Sequence, residues 1–330
     1  MRRRWRQVVG VAVVALAALA VATGAGAQQP TLIRVGHVAF PNSLFDIVAT
    51  EYAKRVNAAL KGRVEMKVFH SSQLGSDEAM IKAIRVGGIE MFIPSTILST
   101  VEPKYGVFEM PYLIVSRAHM RKVAADPKVK EALLAPLPAK GIRILAFWEN
   151  GFRHITNNVR PIVKPEDLKG IKLRVPSGVW RVKMFRTYGA NPAPMAFAEV
   201  FSALQEGVMD GQENPLAQIW SGKFQEVQKY LSMTGHVYTP AYPVVSENLW
   251  KTLPADVRQT LERISVEMAD VARREGERLD KELLDKLAAK LKVNDVDKEA
   301  FIKASGPIYE EFGKEVPGAT ELVKHVQSLR

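Results

Sequence analysis

From Pro254 to about Leu291 the chain keeps one helical spacing, and no other stretch constrains the fold as strongly. Pro254 suits the first position of a helix, where a missing N–H costs nothing. At 1.5 Å per residue such a helix spans roughly 55 Å, longer than one domain of this size requires. Its apolar residues form two stripes. Val257, Leu261, Ile264, Met268 and Val271 lie toward one end, and Leu279, Leu283, Leu287 and Leu291 toward the other. Between them runs Ala272-Arg273-Arg274-Glu275-Gly276-Glu277-Arg278, almost wholly charged. A helix apolar at both ends and solvated at its waist predicts two cores bridged across a gap. Two shorter helices broken at Gly276 would satisfy the same pattern.

Upstream, strand and helix patterns alternate. Ile33–Val38 reads as a strand, and Asn42-Ser43 caps a helix running to about Leu60. Val64–Phe69 is a second strand, Ser76 opens a helix ending at Gly87-Gly88, and Ile89–Ile93 is a third strand. A helical stretch from about Arg117 to Leu134 precedes a strand over Ile142–Phe147. A second alternating unit runs from Phe152 to about Val237, with Trp148–Gly151 and Val237–Val245 as the two crossings between units. Val293–Arg330 reads as a short strand and two small helices on the second unit. The fold expected is α/β and two-lobed, each lobe a mostly parallel sheet flanked by helices, the lobes bridged by the long helix. The expected division is 28–150 with 240–275 for the first lobe and 151–239 with 276–330 for the second.

The most informative chemistry lies between Gly170 and Pro215. In Gly170-Ile171-Lys172-Leu173-Arg174-Val175-Pro176, Leu173 and Val175 face one way and Arg174 the other, because side chains alternate along a strand. Pro176 has no N–H for the ladder and stops the strand. A helix from Gly178 to Tyr188 follows and breaks at Gly189-Ala190-Asn191-Pro192. Pro194-Met195-Ala196-Phe197-Ala198-Glu199-Val200 then leads into another helix, and Asp210-Gly211-Gln212-Glu213-Asn214-Pro215 reads as a polar turn. A fixed guanidinium presents a planar fork that matches a carboxylate bidentately. Taken alone, a strand-end arginine such as Arg174 is more often a surface ion pair than a ligand clamp.

Those three blocks, in that order and spacing, resemble the extracytoplasmic solute-binding proteins of TRAP transporters over most of the mature chain. The resemblance implies a periplasmic binding protein with a long linking helix, a membrane permease as partner, and uptake driven by an ion gradient without a nucleotide site. It implies that Arg174 clamps a substrate carboxylate, that Arg153 lies near the pocket, and that Asn214 and Phe197 flank the ligand. On the first lobe the match is looser. Ser95 falls where sialic-acid binders carry a carboxylate, and Asp77 sits in the family-like block Gln73-Leu74-Gly75-Ser76-Asp77. Ser177 can donate from a helix N-terminus or simply cap that helix. Trp148, Trp180, Trp220 and Tyr242 are candidates for an aromatic wall, with core packing the plainer reading. Gln212 and Glu213 are candidates to hold a cation, as in some relatives, though nothing in the chain demands one.

Several classes are disfavoured by the residues themselves. Arg2, Arg3, Arg4 and Arg6 precede an apolar run, Val8–Val21, and an Ala25-Gly26-Ala27 site, the pattern of a cleaved secretory leader over 1–27. That apolar run is shorter than the ~20 residues a membrane span needs. The mature chain is expected in the periplasm, and with no Cys it carries neither a lipid anchor nor a disulfide. Removing the leader's four arginines from +11 leaves +7, interleaved with acids and lacking the basic blocks of a nucleic-acid binder. His37, His70, His119, His154, His236 and His325 show no metal-ligand spacing, and no G-x-S-x-G elbow or phosphate loop occurs. The reading is a monomeric carrier of a small organic acid, without cofactor. The rival is an exported α/β enzyme acting on such an acid.

Overall fold

The computed structural model describes residues 29–330; the leader expected over 1–27 lies outside the described residues. Among the described residues no helix is long and apolar enough to cross a membrane. Four strands come first: β1 (Thr31–Gly36), β2 (Val64–Phe69), β3 (Met91–Phe92) and β4 (Ile142–Ile144). In β1, Ile33 and Val35 are buried while Leu32 is 44% exposed, the alternation of a strand with one covered face. The intervening helices start where the sequence places caps. Ser43 accepts the Asp46 N–H at the head of Leu44–Ala59, and Ser76 accepts the Ala79 N–H at the head of Asp77–Arg85.

The chain then crosses on β5 (Trp148–Phe152) and builds β6 (His154–Asn157), β7 (Lys172–Val175), β8 (Asn191–Pro194), β9 (Gly211–Asn214) and β10 (Tyr230–Ser232). It returns on β11 (Tyr238–Ala241), adds β12 (Val244–Ser246) to the first sheet, and later adds β13 (Lys292–Asn294) to the second. The first sheet has the order β2-β1-β3-β12-β4 and the second β13-β10-β6-β9-β7-β8. Each is parallel except for one strand: β12 runs against β3 and β4, and β6 runs against β9 and β10. Both reversed strands follow directly after a crossing, so each lobe receives one strand from chain that has just left the other. The crossings themselves pair as the antiparallel ladder β5–β11, which slips register at Thr239/Pro240 because proline has no N–H to give.

The helix Ala255–Ala288 is continuous through Gly276, which settles the choice the sequence left between one helix and two. Its first half packs Leu261, Ile264 and Met268 against the helix Leu44–Ala59 and Trp148. Its second half packs Leu279, Leu283 and Leu287 toward Leu216–Ser221 and Phe224. Each leucine so buried contributes about 1.5–3 kcal/mol. The waist is not the solvated gap expected. Ala272 and Gly276 are buried on its inner face, where the crossing strand β5 packs. Glu149 of β5 accepts from Arg117 at 2.8 Å and from Tyr238 at 3.0 Å, and Arg117 also donates to Asp280 of the helix at 2.6 Å. The tail differs too. Three helices, not two, follow β13, and the last, Ala319–Ser328, docks on helices of the first part of the chain. There Val326 O lies 2.8 Å from His119 Nε2, and His325 pairs with Asp126.

Candidate functional site

The polar turn expected at Gly211–Asn214 is instead β9, an inner strand of the second sheet with Gln212, Glu213 and Asn214 all buried. A strand of this polarity is stable there because its side chains satisfy one another. Asn214 Nδ2 donates to Gln212 Oε1 at 2.6 Å, and Gln212 Nε2 donates to Thr156 Oγ1 at 2.9 Å. Glu213 takes Arg153 Nε at 2.6 Å, Arg181 Nη1 at 2.6 Å and His236 Nε2 at 3.0 Å. Arg181, on the helix Val179–Thr187, also donates twice to Glu109. Burial opposes ionisation of Glu213, but Arg153 and Arg181 outweigh it and hold the carboxyl well below its usual range. His236 is pushed down to about 4 by burial, with Glu213 only partly offsetting it. Both carboxylate oxygens of Glu213 accept from arginine, and no group of three potential metal ligands occurs among the described residues.

Arg174, beside β9 on β7, is 3% exposed. Its Nε and Nη2 donate to the Met195 carbonyl at 3.0 and 2.6 Å, and its guanidinium stands 5.8 Å from the Phe197 ring centroid. Burial pushes it down to about 10, with Glu213 offsetting part of the loss, so it is charged at neutral pH. Arg153 and Arg181 pair directly with the carboxylates of Glu109 and Glu213, whereas Arg174 feels Glu213, Asp77 and Glu78 only at a distance and, among the described residues, hydrogen-bonds only to a carbonyl.

A small cavity of about 50 Å³, room for roughly four water-sized groups, opens between the sheets against Arg174. Arg153, Arg174, Phe197, Asn214 and Ser177 line it from the second sheet's side, and Asp77 and Ser95 from the first's. Seven of the sequence candidates thus converge on one space. Trp148 does not. Its Nε1 donates to Ser265 O at 2.8 Å and its ring meets Tyr52 edge-on, because its strand position faces the long helix. Trp180 packs on Phe312 and Tyr242 on Tyr105, Phe108 and Phe147 in the core, while Trp220 is half-buried with the Lys286 ammonium 5.8 Å from its ring, so none of them forms a cleft wall. Walls meet across the cavity where the Ser177 hydroxyl donates to Glu78 and the Phe40 ring lies tilted against Phe197, centroids 5.5 Å apart.

Asn150, absent from the sequence candidates, also lines the cavity. Its amide orientation is determined by its neighbours. Ser95 Oγ donates to Pro240 O at 2.7 Å, so it accepts from Asn150 Nδ2, as does Thr239 Oγ1 at 3.2 Å. Among the described residues Asn150 Oδ1 is left buried without a partner, and so is Thr96 Oγ1. Asp77 is pushed up to about 7, first by burial and then by Glu78, against the pull of Arg174. A lone asparagine in a crossing segment carries no sequence signal; only the fold turns it inward.

The chain matches the family described as bacterial extracellular solute-binding protein, family 7, over residues 35–315. It is 34% identical over 302 residues to the 2,3-diketo-L-gulonate-binding periplasmic protein YiaO of Escherichia coli, covering 90% of this chain and 92% of that one. Its fold superposes on the sugar acid binding protein DctPAm of Advenella mimigardefordensis in complex with galactonate, with TM-score 0.87, 33% identity, and 91% and 98% of the two chains covered. It superposes equally on a TRAP periplasmic solute-binding protein of Sulfurospirillum deleyianum with bound succinate, with TM-score 0.86, 33% identity, and 92% and 100% covered. The chain belongs to the family 7 extracellular solute-binding proteins, the receptors that capture a small organic acid and deliver it to a TRAP-type secondary transporter.

Proposed function

We propose that this receptor takes a hydroxylated monocarboxylate, a sugar acid or a shorter hydroxy acid, which enters by widening the small cavity between the walls. The carrying observation is the pairing of a guanidinium with no carboxylate in salt-bridge contact among the described residues, Arg174, with an orphaned acceptor, Asn150 Oδ1, across the same small cavity. The guanidinium takes the carboxylate. Asn150 Oδ1 and the Asp77 carboxyl, both able to accept, take ligand hydroxyls, because a buried acceptor left unpaired costs about 1–3 kcal/mol. A second ligand carboxylate would instead face Asp77 and Glu78. The relatives' ligands include galactonate and succinate, so the family fold admits both classes, and the acidic side of this cleft favours the former.

Arg153 supports the clamp, held by Glu213 and Asn214, while Phe197 stacks beside Arg174 and Ser177 joins the two walls. The lobes divide as 28–150 with 240–275 and 151–239 with 276–330, with the last helix shared, and they close about β5 and β11. The protein works in the periplasm after loss of its leader, as a monomer, and releases its ligand chemically unchanged. A thermal-shift panel of aldonates, hydroxy acids and C4-dicarboxylates tests the ligand class, since a ligand that binds only the native state raises Tm. Aldonates or hydroxy acids should raise Tm most. A larger rise with succinate would overturn the assignment, and conversion of the bound acid on prolonged incubation would favour the enzyme.

A further inference from the structure

The larger hollow in this molecule is not the cleft. A groove of about 1020 Å³ lies on the other side of the chain at the end of β5. Phe152 and His154 line the groove while Arg153, between them, lines the cleft, as alternating side chains of an extended segment must. Its lining is mainly apolar, with Phe152, Leu284, Val293 and Ile302 among the walls, and Val293 and Ile302 are 36% and 52% exposed. At one lip Tyr112 is held at φ 57°, a left-handed conformation costly for a bulky residue, by its bonds to His236 O and Thr234 O.

Two polar groups aim at this apolar space. His154 is 8% exposed, and its Nδ1 accepts the Gly235 N–H at 3.2 Å, so the neutral ring carries its proton on Nε2. That N–H has no protein acceptor among the described residues. Burial, with nearby His236 and Lys298, pushes the ring down to about 3 and keeps it neutral. Lys298, at the start of the helix Lys298–Ala304, lines the groove and forms no salt bridge among the described residues. Among the other charges there, Lys281 is paired with Glu277, Asp280 with Arg117, and Arg330 donates to the carbonyls of Tyr112 and Leu113. Among the described residues Asp295 is the one lining acid outside a salt bridge, and Lys298 stands over the same apolar walls.

We propose that this groove is a second binding site, for a free amphipathic monocarboxylate. Its acyl chain lies on Phe152, Leu284, Val293 and Ile302, and its head accepts from His154 Nε2–H and pairs with Lys298. The occupant sits against the end of the crossing strand, independently of the cleft ligand. Calorimetry of the protein with decanoate tests this, with decyl glucoside as a neutral probe with the same tail. Decanoate should bind with unit stoichiometry, unaffected by Arg174→Ala. Binding should weaken about tenfold or more in Lys298→Glu and in Ile302→Asp, the scale of one charge-assisted contact or one apolar anchor. Lys298→Arg should retain most of it. Both positions are at the surface, and circular dichroism would confirm that the variants stay folded. No decanoate binding, binding abolished by Arg174→Ala, binding indifferent to both groove variants, or equal affinity for decyl glucoside would each overturn the proposal.

Discussion

Glu149 on β5 and Gly276 at the waist of the long helix fit as a pair: the carboxylate occupies the space that a β-carbon at 276 would need. Glu149 is buried and held there by Arg117 and Tyr238, so it has nowhere to withdraw. Alanine is ordinarily about 1 kcal/mol better than glycine inside a helix. Here Gly276→Ala should destabilise, because the methyl must displace a buried, hydrogen-bonded charge. Urea unfolding should show a lower midpoint for the variant; a higher one would mean that the helix and the crossing strand are not so matched.

Arg174→Ala should leave the fold intact and weaken ligand binding by about 2–5 kcal/mol, roughly thirty- to several-thousand-fold. Arg174→Lys should recover only part, since an ammonium keeps the charge and loses the fork. Calorimetry with the best ligand from the thermal panel decides. Affinity within a factor of about three of wild type would reduce Arg174 to a structural donor for Met195 O.

Ser177 on one wall and Glu78 on the other are joined only while the walls are together. Burial disfavours the Glu78 anion, but hydrogen bonds from Ser177 and Ser76 outweigh it, so the contact is charge-assisted. Ser177→Ala should enlarge the unliganded radius of gyration in small-angle scattering. It should also cost roughly ten- to a hundredfold in affinity, the range for a hydrogen bond to a charged group. An unchanged radius and affinity would show that the contact does not hold the closed form.

The raised carboxyl of Asp77 makes a pH prediction with a definite sign. Its folded value, about 7, lies above its unfolded value near 3.8. Between these the native state binds the extra proton, so this group's contribution to stability falls as pH rises toward 7. Asp77→Asn should therefore raise Tm relative to wild type at pH 8, and the advantage should shrink as pH falls toward 5. His154 and His236, lowered by burial, favour stability in the opposite direction, but they are common to both proteins and cancel in the difference. A pH-independent difference in Tm would mean that Asp77 titrates as an ordinary surface carboxylate.

What the sequence determined by itself was local and periodic. The long helix was legible in the 3.6-residue spacing of Val257 to Leu291, the helix starts in Ser43 and Ser76, and the placement of Arg174 in the alternation of a four-residue strand. Each of these depends on residues within a few positions of one another. Where partners come from distant elements the reading failed or stayed silent. Gly211–Asn214 looks like a turn because its polarity is neutralised by Thr156, Arg153, Arg181 and His236, none of them near it in sequence. Trp148 looks like a cleft residue until the long helix lies across it, and the helix waist looks solvated until β5 packs against it. Asn150 carries no sign of its orphaned oxygen until Ser95 and Thr239 have claimed its amide nitrogen. Tertiary structure alone decided which polar atoms were satisfied and which were left for a ligand, because that is a property of the assembled neighbours and not of any one stretch of chain.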